Sequence, residues 1–315
     1  MFKKRNGLPQ LAGNLFLTDG GLETTLIFRN GFDLPEFGAF TLLKHESGRE
    51  AMRKYYRKYA SIARDHGVGF ILESATWRAS TAWGNKLGYS AEDLADTNHK
   101  AIDLMREIKN EFETEQTPMV LSGCMGSRDD GYTPSAKMSE REAERYHAPQ
   151  VVTLSNAGVD MISALTMTNS EEAIGLTRAA RFAGIPVSIS FTVETDGRLP
   201  SGQALGEAIE QVDSSTGEAP AYYMINCAHP THFRDTLAAG DEWRSRLRGV
   251  RANASSMSHA ELDEAEELDD GNPVELGLQY HDLSGVLQNL NVLGGCCGTD
   301  HRHVEEICRT WQARN

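Results

Sequence analysis

The chain has 315 residues, of which 40% are hydrophobic and 24% charged, and its formal net charge is −14. That acidity disfavours nucleic acid and anionic membrane surfaces as partners, because phosphate contacts need basic patches, and no apolar run approaches the ~20 residues that cross a bilayer. Five cysteines, an odd number, and a basic start with no apolar stretch of signal length behind it suit a cytoplasmic protein with reduced thiols.

In chain order, apolar runs alternate with stretches of helical spacing. Residues 15–17 read as a first strand ending in Asp19-Gly20-Gly21. Residues 47–66 follow as a helix, with Met52, Tyr55, Tyr56, Tyr59 and Ile62 on its apolar face. The next pairs are a strand over 68–74 with a helix over 91–113, and a strand from 119 with a helix over 139–157. Strands over 159–165, 186–193 and 221–226 lead into helices over 170–183, 203–212 and 231–239. A strand over 247–252 precedes a mostly helical return over 273–290, and a strand over 290–293 precedes the last helix, 300–312.

Eight strand-then-helix units with continuously apolar strands predict a parallel sheet closed as a (β/α)8 TIM barrel, one domain over residues 1–315. An open doubly wound sheet is the competitor. It calls for a glycine-rich phosphate loop after the first strand, and Asp19-Gly20-Gly21-Leu22-Glu23-Thr24 does not match one. The acidic segment 258–272 is read as a solvated stretch in preference to a lid or an oligomer contact.

Barrel active sites gather at the C-terminal ends of the strands. The unusual residues lie there: Asp19 to Gly21, Glu73 to Trp77, Cys124, Thr166 to Asn169, Thr192 to Thr195, Asn226-Cys227, Asn253 and Cys296-Cys297. In Gly294-Gly295-Cys296-Cys297-Gly298-Thr299, two adjacent cysteines on a regular strand would point to opposite faces. The flanking glycines permit a turn that brings both sulfurs to one side. Two core cysteines or a vicinal disulfide are the alternatives to a metal site. A zinc site needs a third ligand, for which Cys227 is the best candidate, and three cysteines with one open position is the pattern of a catalytic zinc. Cys308 is assigned to packing, and Cys124 stands outside the set. His229 and His232 are assigned to a loop or helix start. His301 and His303 open the last helix, and no carboxylate pair is evident, so metal-dependent hydrolysis is disfavoured.

The pieces Leu17-Thr18-Asp19-Gly20-Gly21, Ser190-Phe191-Thr192, Ile225-Asn226-Cys227 and Gly294-Gly295-Cys296-Cys297-Gly298-Thr299 resemble the homocysteine S-methyltransferase family, in order and across nearly the whole chain. The resemblance implies a (β/α)8 barrel in which Cys227, Cys296 and Cys297 bind zinc and Asp19, Gly20 and Gly21 form a substrate-binding turn. Glu73, Thr166 and Asn226, at strand ends, are further substrate-binding candidates, and Trp77 is a candidate for holding a cationic donor against a packed role on the rim. Three thiolates make zinc a weak Lewis acid that nevertheless deprotonates a fourth thiol and leaves it nucleophilic. The implied reaction moves a methyl group from a small cationic donor (S-methylmethionine, S-adenosylmethionine or betaine type) to homocysteine, giving methionine. The chain is short for folate or cobalamin modules. The partners expected are a small thiol and a methyl donor, and a homo-oligomer is compatible with the sequence. One departure stands out. Leu165 occupies the place where the family carries a glutamate for the amino group of homocysteine. Either another acid, Glu73 or Glu194, replaces it, or the acceptor is a different thiol, or the barrel binds zinc and thiol without catalysis.

Overall fold

The computed structural model describes residues 7–131 and 137–313. Eight strands, β1 (Phe16–Leu17), β2 (Gly69–Glu73), β3 (Met119–Met125), β4 (Met161–Met167), β5 (Val187–Phe191), β6 (Tyr222–Asn226), β7 (Leu247–Ala252) and β8 (Val292–Gly295), follow one another around a closed parallel barrel in which β8 pairs with β1. The (β/α)8 expectation is met.

Short helix α1 (Leu22–Thr24) follows β1. Helices α2 (Glu46–His66), α3 (Thr81–Lys86), α4 (Ala91–Phe112), α5 (Glu140–Asn156), α6 (Ser170–Phe182), α7 (Leu205–Thr216) and α8 (Pro230–Ala239) connect the strands up to β7. After β7 come α9 (His259–Asp263) and α10 (Pro273–Leu283), and α11 (His301–Gln312) ends the order. Local chemistry sets several boundaries. Ser90 and Ser139 begin α4 and α5 with reciprocal capping boxes to Asp93 and Glu142. Gly67, at φ 62°, ends α2 in the left-handed conformation that glycine adopts without a Cβ penalty. Among the described residues no helix is long and apolar enough to cross a membrane.

Alternation along each strand sorts side chains into two layers. Leu17, Phe70, Leu72, Leu121, Ile162, Val187, Ile189, Ile225, Val250 and Leu293 face outward into the helix layer. Phe16, Ile71, Val120, Met161, Tyr222, Met224 and Val292 face inward and pack as a separate plug with Leu8 and Leu11 of the N-terminal segment. With both faces buried, the strands carry near-continuous apolar runs. Full burial of each large apolar side chain contributes roughly 1.5–3 kcal/mol.

The structure shifts several expected boundaries. β4 runs to Met167 instead of 165, so Thr166 lies within the strand, and its register breaks between Ala164 and Met167. β8 includes Gly294 and Gly295 because they pair with Arg251 and Ala252 of β7. α10 stops at Leu283, seven residues before the expected 290, and α7 reaches Thr216 instead of 212. α1, α3 and α9 were not expected; they are too short to show helical periodicity in sequence.

Candidate active site

The inward positions change character toward the C-terminal ends of the strands. Above the apolar plug come Glu73 on β2, Ser122 on β3, Ser163 on β4, Ser188 and Ser190 on β5, Asn226 on β6 and Arg251 on β7, all buried. Of these, Glu73, Asn226 and Arg251 line a cavity of about 570 Å³, a size suited to a small ligand.

Three thiols meet at this rim. Cys296 Sγ lies 3.2 Å from Cys227 Sγ, Cys227 Sγ lies 3.6 Å from Cys297 Sγ, and the three sulfurs fall within 4.8 Å of one another. Two backbone devices bring them together. Asn226 continues the inward series Tyr222, Met224, so Cys227 should point outward. Its φ of 59° turns it back into the cavity, and this left-handed conformation is costly for any residue with a Cβ. The turn is held from both sides: Cys227 N donates to Arg251 O (3.1 Å), and Cys227 O pairs with His259 Nε2 at 2.7 Å. At the other end, Thr299 N donates to Cys296 O (3.1 Å) across a turn whose third residue, Gly298, has φ 78°. That geometry needs glycine and places both neighbouring cysteines on the cavity wall. Of the two other cysteines, Cys124 lines the cavity outside the trio, and Cys308 is buried in the outer core, as expected.

Thr166 repeats the device, with φ 59° at the β4 bulge. Asn226 clamps it, accepting from Thr166 N (2.8 Å) and from Ser190 Oγ (2.6 Å) while donating to Thr166 Oγ1 (2.8 Å). As a result Leu165 and Thr166, although adjacent, both line the cavity. Leu165 therefore presents an apolar side chain there. Of the two acids considered as its replacement, Glu73 lines the cavity. Glu194 is absent from the lining and pairs with His259 Nδ1 at 3.2 Å.

Asp19 reaches the cavity floor with both oxygens engaged: Oδ1 pairs with Arg251 Nη2 at 2.7 Å and Oδ2 accepts from Tyr55 at 3.0 Å. Burial pushes its carboxyl up, opposed by Arg251. Gly20 and Gly21 have no room for a side chain. A Cβ on Gly21 would stand 2.6 Å from Cys296 O, and one on Gly20 2.8 Å from Tyr59 Oη. Trp77 lines the wall and donates to Leu165 O (3.4 Å), and the Arg78 guanidinium sits 4.8 Å from its ring centroid. One face of that indole thus already holds a cation. His229 caps α8 and His232 Nε2 pairs with Ser256 O, which agrees with their assignment away from the metal.

Arg251, Glu23 and Arg78 are cavity residues that sequence reading passed over. Arg251 had a visible signal, a charged side chain in the apolar strand Val250-Arg251-Ala252. Burial pushes the Glu23 carboxyl up to about 7, aided by the nearby Cys296 and Asp19 and opposed by Arg78. Within the thiol cluster, hydrogen bonds shared with Cys227 and Cys297 hold Cys296 well below the usual thiol range, helped by Arg251. The same sharing pushes Cys227 well above it. The acidic stretch after β7 is exposed in part, yet Leu262, Asp263, Ala265, Glu267, Leu268 and Asp269 form part of the cavity wall, so the solvated reading covers only half of its role.

A closed parallel barrel with three convergent thiols at its C-terminal rim defines an enzyme-type pocket whose donor set suits a thiophilic metal ion. The sequence profile of the homocysteine S-methyltransferase family matches residues 16–311. Homocysteine S-methyltransferase 4 of Zea mays is 23% identical over 96% of this chain and 91% of its own length. The homocysteine methyltransferase MmuM from Escherichia coli superposes with TM-score 0.73 in its oxidized form and 0.70 in its metallated form, at 17% and 16% identity, with 96% of each chain covered. The chain belongs to the homocysteine S-methyltransferase family and is a methyltransferase.

Proposed function

We propose that the protein transfers a methyl group from a small cationic donor to the thiol of homocysteine, giving methionine, with zinc held by Cys227, Cys296 and Cys297. The observation that carries this reading is the approach of three thiols to within 4.8 Å of one another on the wall of a single cavity. Such a donor set favours soft divalent ions, and leaving one position to the substrate suits a catalytic site. When bound, zinc supplies a substrate thiol that is acidified to near neutral pH and stays nucleophilic.

The chain's own residues do the positioning. His259 and Arg251 hold the left-handed turn of Cys227, and Asn226 holds that of Thr166. Asp19, Gly20 and Gly21 keep the floor closed beneath the sulfurs, and Trp77 and Thr166 shape the wall opposite. The cavity acids Glu23, Glu36, Asp130, Asp263, Glu267 and Asp269 outnumber the cations Arg78 and Arg251, so the potential at the mouth attracts a sulfonium or ammonium donor. Alignment of sulfur with methyl carbon is the enzyme's main kinetic contribution. The test is metal content of the purified protein, followed by incubation with homocysteine and S-methylmethionine, S-adenosylmethionine or betaine. One zinc per chain and methionine formed from one of these donors is the expected outcome. Absence of metal under reducing conditions, or no methionine from any donor, overturns the reading.

A further inference from the structure

The segment between β7 and α10 walls one side of the cavity, and it touches both turns that carry the thiols. At its start, His259 opens α9, is buried, and pairs through Nε2 with Cys227 O at 2.7 Å. Near its end the backbone lies against the other turn: a Cβ on Gly298 would stand 2.6 Å from Asp269 O. Gly271, left-handed at φ 53°, leaves its Cβ position to Ala254 O, and Ala254 N donates to Cys297 O at 3.0 Å. Cys227 follows β6 and Cys297 follows β8, so this one segment straps together two turns from separate strands.

The strap's own charge does not favour that position. Between residues 258 and 272 it carries seven acids and no lysine or arginine. Like charges so close in sequence repel one another. Among the described residues, Asp270 is the one acid of the seven in an ion pair. Its Oδ2 meets Arg29 Nη2 at 2.7 Å and Arg302 Nη2 at 2.6 Å, and its backbone oxygen pairs with His303 Nε2 at 2.8 Å. Both guanidiniums are also held by Asp300, the buried N-cap of α11, at 3.1 and 2.9 Å. The body of the barrel thus presents two oriented cations, and the strap ends in the anion that meets them. The side chains of Asp270, Arg29 and Arg302 remain 42%, 36% and 48% exposed, so this clasp opens without unfolding the barrel.

We propose that Asp270 is a positioning residue for the thiol site: through Arg29 and Arg302 it holds the strap across both cysteine turns and thereby raises the affinity for metal. This rests on the three-thiol metal reading above and deepens it. A bound ion fixes Cys227 relative to Cys296 and Cys297, which is the same separation the strap fixes. Strap closure and metal binding must then favour each other by the same factor.

The test uses the full-length protein with zinc alone as the probe. Zinc is expected to slow amide hydrogen exchange over residues 259–271. D270N keeps the shape of the side chain and loses its charge. In competition with a chelator it should bind zinc about 3- to 10-fold more weakly, a loss set by two partly exposed ion pairs acting on the outer shell of the site. D270E keeps the charge and should recover most of the affinity. A merely structural role would lower the melting temperature of the metal-free protein and leave zinc affinity unchanged. Exchange over 259–271 that is indifferent to zinc, D270N binding zinc as tightly as the parent, or D270E as weak as D270N overturns the proposal. The first of these needs no variant and decides the matter even if D270N does not fold. Zinc that binds and slows the strap without methionine forming from any donor supports the clasp and refutes the proposed reaction. Zinc that binds to an indifferent strap refutes the clasp and leaves the reaction standing, and no zinc binding at all overturns both.

Discussion

The lower and upper halves of the barrel interior are made by the same strands and differ in almost every other respect. Phe16, Ile71, Val120, Met161, Tyr222, Met224 and Val292 fill the lower half as an apolar plug, closed from below by Leu8. Two residues further along the same strands stand Glu73, Ser122, Ser163 and Asn226. The lower half gains its stability chiefly from burial, with Gln10 Nε2 donating to Tyr222 Oη at 3.4 Å. The upper half buries an ion pair, serine hydroxyls and the Cys227 thiol, leaves Cys296 and Cys297 half-buried, and holds Thr166 and Cys227 at positive φ, each costing roughly 1–3 kcal/mol. The contrast teaches that stability here is made at one end of the barrel and chemistry at the other.

Three measurements sharpen or break that division. The largest effect is expected from Cys296→Ala, which removes one sulfur of the trio. Metal content by elemental analysis should fall from one ion per chain to background and methyl transfer should be lost, with melting of the barrel little altered. Stoichiometric zinc in that variant would break the three-thiol site. Phe16→Ala tests the opposite end. The Phe16 ring packs directly over Gly69, and its loss should cost about 3–5 kcal/mol in chemical denaturation while the folded fraction still binds metal. Loss of metal binding in folded F16A would show that the two halves are not separable.

The smallest effect concerns Glu23. Its folded-state carboxyl titrates near 7, above its ordinary 4.5, so the folded protein binds the proton more tightly than the unfolded chain does. The cost of this is absent below about pH 4.5, grows as pH rises from there to about 7, and is complete above it. Glu23→Gln should therefore be more stable than the parent by roughly 1–2 kcal/mol at pH 8, discounted for a half-buried group. The two should converge at pH 4.5. Denaturation curves at both pH values check the sign. Equal stability at pH 8 would mean that Glu23 meets more solvent than its place in the cavity wall indicates.

Much of this architecture was legible in the residues. Eight apolar runs separated by helical spacing announce a parallel barrel because strands covered on both sides leave no polar face. The glycines around Cys296 and Cys297 signalled a turn, and Gly298 does take the left-handed conformation that turn requires. Asn226-Cys227 at a strand end identified the third thiol. By contrast, Leu165 read as a gap in the site, since sequence order does not show that Glu73, ninety-two residues earlier on β2, lines the same cavity. The acidic stretch after β7 read as solvated because charge pattern alone does not show which side of a loop faces a cavity.

Period and residue type thus determined the fold, the strand ends where chemistry gathers, and the three sulfurs, because each is written in local backbone preference and in the chemistry of single side chains. Only the tertiary structure decided which groups satisfy one another across the barrel. It paired Arg251 with Asp19 over 232 positions of sequence, turned Cys227 and Thr166 inward against strand alternation, and set Glu73 of β2 against Ser163 of β4. Those outcomes depend on closure of the ring, which sets side chains from distant strands within hydrogen-bond reach and excludes the water that would otherwise satisfy them.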